Sequence, residues 1–193
     1  ACKFVLNDMP QIIVTYRRTS RLSMRIGRAG EVRVSAPYGL PREKVERFID
    51  EHRDWIERAL AQTAERLARR DRFFDQLPLA TRCERAEAVA RLDAMVRPLV
   101  EKHAAQMGVS LSAITYRATI SKWGSCTVRT RRIHFSLYLL LLPPWCIEHV
   151  VVHELAHLLV PNHSPRFYAV MDKFFPRWCE ARQETKRLSR MEG

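Results

Sequence analysis

The stretch His153-Glu154-Leu155-Ala156-His157 constrains this chain more than any other. It reads H-E-x-x-H. On a helix, residues four apart share a face and lie about 6 Å apart along the axis, so both imidazoles can reach one metal ion. Glu154 follows the first histidine, where its carboxylate can contact a metal-coordinated water rather than the metal. Zinc lowers the pKa of such a water towards about 7, and a neighbouring carboxylate can take its proton. The surroundings predict a helix from Pro144 to Val160, with Pro144 in its first turn and Pro161 as its stop. Ile147, Val150, Val151, Val152, Leu155, Ala156, Leu158 and Leu159 make it apolar on nearly every face, so it should be buried. Polar groups in a buried helix need partners. The alternative to a metal is a structural helix whose histidines and glutamate are met by hydrogen bonds.

A catalytic zinc site takes three protein ligands and keeps a fourth position open. His163 stands just past the break at Pro161-Asn162, and Ser164-Pro165 reads as the N-cap and first turn of another helix. One chain reversal would return His163 to the metal. Glu180 and Glu184 are the competing ligands, by the pattern in which a later helix supplies a carboxylate.

The run VVVHELAHLLVPNHSPRF, Val150 to Phe167, resembles the YgjP-like metallopeptidase family, relatives of the SprT-like and minimal zincin peptidases. Lys122-Trp123-Gly124-Ser125-Cys126 is similar to that family's R-W-G-S-C segment, with Lys122 in place of Arg. The Leu142-Pro143-Pro144 entry to the helix fits as well. The resemblance is tight over residues 114–176 and looser before them. It implies a hydrolase of zincin-like α+β fold, with a mixed sheet beside the H-E-x-x-H helix. It also implies one Zn²⁺ per chain on His153, His157 and His163, with Glu154 as general base. Trp123, Gly124 and Ser125 would form a substrate-binding edge strand that pairs with an extended peptide backbone. Read from residues alone, Gly124 is equally well a bulge and Trp123 a core residue. Two positions depart from the family pattern, Ser136 where Asn is common and His149 where an aromatic is common.

The formal net charge is +12, from 33 basic and 21 acidic residues, which favours contact with phosphates or acidic surfaces. An arginine-rich solvated surface accounts for it equally well, because the charges are spread along the chain. The five cysteines form no C-x-x-C pair, which argues against a disulfide framework or a cysteine zinc site and fits a reducing cytoplasm. No signal peptide is evident at Ala1 to Pro10. The longest apolar run, Leu137 to Trp145, is too short to span a bilayer, so no membrane partner is expected.

Taken in order, residues 11–36 alternate apolar and polar as three short antiparallel strands, with Gly27-Arg28-Ala29-Gly30 as a hairpin turn. Arg17, Arg18, Arg21, Arg25 and Arg33 would line a polyanion groove or simply cover a wet sheet face. One helix is expected from Pro41 to about Arg70, with Trp55 in its core stripe and His52 packed or partly exposed. A second is expected over residues 82–107, stopped by Gly108 and kinked or split at Pro98. Residues 111–142 read as strands, with Leu137 and Leu139 continuing the return strand. An amphipathic helix follows His163 and ends at Pro176, and a basic helix covers 177–190.

The expected organisation is an N-terminal strand-and-helix lobe, 1–76, and a metal-binding domain, 77–193, or one compact unit of both. The expected activity is that of a zinc-dependent peptidase acting on peptide or protein, with Tyr168 or Arg166 at the oxyanion. Two alternatives use the same metal site. One is a nucleoside triphosphate (UTP) pyrophosphatase, an assignment reported for the YgjP-like family. The chain shows neither a Gly-rich phosphate loop nor an Asp/Glu cluster for Mg²⁺. The other is a protease associated with DNA, as in the SprT-like relatives, in which the basic surface binds nucleic acid.

Overall fold

The computed structural model describes residues 3–6, 11–27 and 30–189. Two compact units divide the chain, residues 1–69 and 70–193. Cys2 and the turn residues Arg28 and Ala29 lie outside the described residues.

The first unit carries a four-stranded sheet in the order β1-β2-β4-β3, formed by Lys3–Leu6, Ile12–Arg17, Val32–Pro37 and Ser23–Ile26 respectively. Alternation sets its faces: Ile12, Val14, Val32, Val34 and Ala36 are buried, while Arg25 and Arg33 point outward. Three antiparallel strands were expected, but β2 and β4 run parallel, with Val14 opposite Val34. Residue alternation marks a strand and not its direction. Of the two readings of the five arginines, a polyanion groove or a wet sheet face, the exposed Arg25 and Arg33 fit the second. Arg25 lies opposite Arg33 in the β3–β4 register, and Arg33 is held by Glu31 at 2.8 Å. Arg17 and Arg18 line a shallow hollow beside the exposed Tyr38.

Helix α1, Arg42–Glu51, packs Val45 and Ile49, one turn apart, onto this core. Each buried side chain contributes about 1.5–3 kcal/mol. The single helix expected here breaks at His52, which leaves helical geometry (φ −111°, ψ 15°); α2 restarts at Arg53 and runs to Phe74. The His52 Nδ1 lies 2.8 Å from the Phe48 carbonyl. Trp55 was expected in the core and is instead 42% exposed, because the break at His52 rotates the apolar stripe onto Ile56.

In the second unit α3 spans Arg82–Met107. The Glu84 backbone N–H donates to the Thr81 hydroxyl (3.1 Å), and the Thr81 N–H donates to the Glu84 carboxylate (2.8 Å), a reciprocal capping box. Gly108 ends the helix in the left-handed region (φ 67°). Pro98 lies inside one continuous helix, so of the two expected outcomes, a kink or a split, the split does not occur.

Strands β5 (Ala113–Arg117), β6 (Gly124–Thr127) and β7 (Arg132–Ser136) follow, ordered β5-β7-β6, with β5 parallel and β6 antiparallel to β7. Gly124, Ser125 and Cys126 of the W-G-S-C segment thus lie on an edge strand, and Trp123 immediately precedes it. Leu137–Leu141 is a 3₁₀ helix rather than strand, started by Ser136, whose hydroxyl accepts from the Tyr138 N–H at 3.3 Å. Both Leu137 and Leu139 are still buried, so apolar spacing alone could not separate the two conformations.

Helix α4, Pro144–Ala156, packs against α3, β6, α5 (Pro165–Phe174) and α6 (Trp178–Ser189). Its Ile147, Val151, Val152, Leu155 and Ala156 are fully buried, as expected of a helix apolar all round. The mixed sheet beside an H-E-x-x-H helix is the α+β arrangement expected of a zincin-like core. Among the described residues no helix is long and apolar enough to cross a membrane.

Candidate metal centre

Helix α4 ends sooner than its sequence predicts. Leu158 and Leu159 donate to the carbonyls of Leu155 and Ala156, three residues back, which tightens the last turn after Ala156. His157 still donates its backbone N–H to the His153 carbonyl (3.3 Å), so the two rings remain one helical turn apart, with centroids 4.9 Å from each other. Pro161 then forces the chain out of the helix. His163 comes back across the face of α4 before Ser164, in extended geometry, and Pro165 start α5. No side-chain hydrogen bond caps α5; the Ser164 carbonyl accepts from Phe167 at 2.9 Å.

The result is a compact triangle of imidazoles. The Nε2 atoms of His153 and His163 are 3.1 Å apart, and the ligand-capable nitrogens of all three rings lie within 4.8 Å of one another. Phe167, fully buried, forms the floor. Its ring centre lies 5.0, 4.7 and 4.8 Å from those of His153, His157 and His163. From sequence, Phe167 was legible only as an apolar position of α5.

Electrostatics fit the donor set to a divalent cation. Burial, reinforced by His157, His149, His163 and Arg182, lowers His153 to about 3. Burial also holds His157 below its ordinary value, against the opposing pull of the Val160 carbonyl. Neutral rings have lone pairs to give, and a metal needs them. The His157 Nδ1–H donates to the Val160 carbonyl at 3.3 Å, which leaves Nε2 as the free acceptor. Among the described residues this is the one group of three or more His, Cys, Asp or Glu side chains placed to share an ion. Glu180 and Glu184, the competing ligands, are instead held by Arg177 (2.9 Å) and Arg187 (2.6 Å).

Glu154 is 5% exposed and faces β6. Burial pushes its carboxyl up to about 8, with the Lys122 charge and the Cys126 backbone N–H pulling the other way. A Cβ on Gly124 would fall 2.6 Å from its Oε1. The glycine is therefore needed for close approach.

The cleft above the triangle has a volume of about 420 Å³. Trp123, Gly124, Tyr168 and His149 line it; Ser125 and Arg166 do not. Trp123 also packs edge-on against Phe73, and its carbonyl accepts from the Ser136 N–H at 2.8 Å, so it is both wall and anchor. Of the two departures from the family pattern, His149 lines the cleft. Ser136 does not, and its hydroxyl donates to the Thr119 carbonyl at 2.6 Å. Sequence reasoning missed Trp178, Arg182 and Lys186 of α6 as lining residues.

The family model described as YgjP-like, metallopeptidase domain, matches residues 20–80 and 81–188. The chain belongs to the YgjP-like metallopeptidase family. As a YgjP-like protein it is a hydrolase, a metal-dependent peptidase in general class. Two solved metallopeptidase zymogens are similar to it. Abylysin of Pyrococcus abyssi shares 23% identity over 48% of this chain and 92% of its own, with a TM-score of 0.44. Jannalysin of Methanocaldococcus jannaschii shares 16% over 48% and 94%, with a TM-score of 0.43. No curated protein matches the chain.

Proposed function

We propose that the chain is a zinc peptidase in which His153, His157 and His163 hold one Zn²⁺ and Glu154 is the general base. The observation that carries this is the triangle of three imidazoles with a buried carboxylate one residue along the same helix. When bound, the ion supplies Lewis acidity that polarises a carbonyl and acidifies a coordinated water.

The remaining work falls to the chain itself. Glu154 takes a proton from the attacking water at its carboxylate and returns it to the departing amine nitrogen. Burial pushes its carboxyl up to about 8, and the charge of a cation nearby would favour the ionised form. The free edge of β6 at Gly124 aligns an extended substrate backbone, and Trp123 walls the cleft beside it. Tyr168 lines the cleft next to His163 and offers its O–H to the developing oxyanion. Phe167 excludes water from beneath the rings.

The test is a metal analysis of the untreated protein, followed by assay of the zinc-loaded chain on casein and on a nucleoside triphosphate panel. We expect one equivalent of zinc and cleavage of casein. Glu154→Gln should keep the zinc and lose at least a hundredfold in rate, because the amide fills the same volume but accepts no proton. Well under one equivalent of zinc, or full activity in Glu154→Gln, would refute the assignment. Turnover of UTP without casein cleavage would replace the peptidase by a pyrophosphatase on the same residues.

A further inference from the structure

Three cations stand around the cleft: Lys122 beside β6, and Arg182 and Lys186 on α6. All three are exposed. Among the described residues none of them forms an ion pair; the Lys122 charge acts on the buried Glu154, and the two acids of α6 are already taken. Glu180 is held by Arg177 and Glu184 by Arg187. Arg182 and Lys186 are four residues apart, so like charges sit one above the other on the same face, an arrangement that disfavours a helix unless an anion meets it. Glu154 is the sole carboxylate of the lining, and it is buried against β6. The mouth of the cleft is therefore positive, and such a field concentrates anions. In the same wall His149 is buried, with Nδ1 lacking any hydrogen-bond partner, so a further polar atom is left unmet. Tyr168 and Trp178, stacked with centroids 5.0 Å apart, give this side a rigid apolar surface.

We propose that Arg182 and Lys186 form a subsite for a carboxylate of the peptide substrate, so that the enzyme selects acidic peptides. This rests on the peptidase reading given above. A carboxylate fits better than a phosphate. Arginine and lysine side chains pair with either anion, but the peptidase reading places a carboxylate, not a phosphate, on the substrate. A guanidinium fork matches a carboxylate in a bidentate manner, and a lysine beside it adds charge without fixing geometry. The carboxylate has two sources, an Asp or Glu side chain near the scissile bond or the free C-terminus of a short peptide.

The experiment compares matched peptides with the zinc-loaded chain. One set carries Glu or Gln at each position flanking the cleavage site with the C-terminus amidated; the other is neutral with a free or amidated C-terminus. We expect kcat/KM to favour the carboxylate member of one pair by up to roughly 25-fold, about fivefold for each cation at the upper end for exposed charge pairs, with the product as the ceiling because the two share one partner. The ratio should fall to about fivefold in Arg182→Gln or Lys186→Gln and to about one in the double variant. Arg182→Glu with Lys186→Glu should take the ratio below one, in favour of the neutral member. Preference in the Glu/Gln set assigns the subsite to a side chain, and preference in the free-acid set assigns it to the terminus. A ratio near one in the unmodified protein, or a ratio kept in the double variant, overturns the proposal. Binding of the same peptides to Glu154→Gln, followed by tryptophan fluorescence, reads the subsite without turnover. Binding preference without any cleavage would reject the peptidase reading and leave the subsite; cleavage without preference would do the reverse.

Discussion

Gly124→Ala is the most informative single change. An added Cβ would stand 2.6 Å from Glu154 Oε1, 2.7 Å from Cγ and 2.9 Å from Cδ. Ordinary contact begins at 3.4 Å, so the gap must open by about 0.8 Å. Glu154 is buried and cannot swing into solvent. The two elements must part or the carboxylate must re-site itself. Overpacking of this kind costs about 1–3 kcal/mol, or roughly 2–10 °C in Tm for a chain of this size. The larger effect falls on rate. A displacement near 1 Å at a reacting group costs about a hundredfold, so kcat should drop by roughly 30- to 100-fold while zinc content stays at one equivalent. Calorimetry, metal analysis and peptide kinetics measure the three quantities. A double-mutant cycle isolates the cause: in a Glu154→Ala background the extra methyl has room, and Gly124→Ala should cost little or no stability. An unchanged kcat, or the same stability loss in both backgrounds, would refute the close approach or the role given to the carboxylate.

His163→Ala should weaken zinc binding at least a hundredfold in a calorimetric titration, while Glu180→Ala and Glu184→Ala leave it unchanged; equal losses in all three would restore a carboxylate ligand. Thr81→Ala removes half of the capping box at α3 and should cost about 1 kcal/mol, seen as a fall of a few degrees in Tm with activity retained. The buried His103 and the exposed Lys102 hydrogen-bond Glu148, at 2.7 and 3.0 Å. Burial alone would raise the Glu148 carboxyl, but those bonds outweigh it and hold it below its ordinary value. A depressed carboxylate stabilises the fold above its unfolded pKa and loses that contribution as pH falls through the folded value. The Tm gap between the parent chain and Glu148→Gln should therefore be constant near neutrality and close in acid; a gap that persists to pH 3 would contradict the pairing.

The local features of the centre were legible in the sequence and the long-range ones were not. The one-turn spacing of His153 and His157 is a property of helix geometry, and the return of His163 follows from two prolines and a serine within five residues. No partner from elsewhere in the chain is needed to read either. The acceptor on His157 could not be read, because it is the backbone carbonyl of Val160 in a turn that tightened after the helix ended. Arg182 and Lys186 were hidden for another reason. A terminal helix rich in both charges has an apolar stripe in its sequence, but which polar flank borders the cleft depends on how α4 receives it. Strand direction is hidden in the same way: Val14 and Val34 alternate identically whether β2 and β4 run together or opposed.

Phe167 bears on how the protein would live without its ion. In small zinc-dependent folds the metal supplies the core, and removing it unfolds the chain. Here a fully buried phenyl ring ties α5 to α4 directly beneath the three imidazoles, and Met171, one turn on, is buried with it. Hydrophobic packing therefore holds the cage in shape whether or not an ion is in it. Ion exchange becomes a local event, with no refolding to wait for. The strength with which the protein keeps its metal is then set by the competing chelators around it rather than by the stability of its fold.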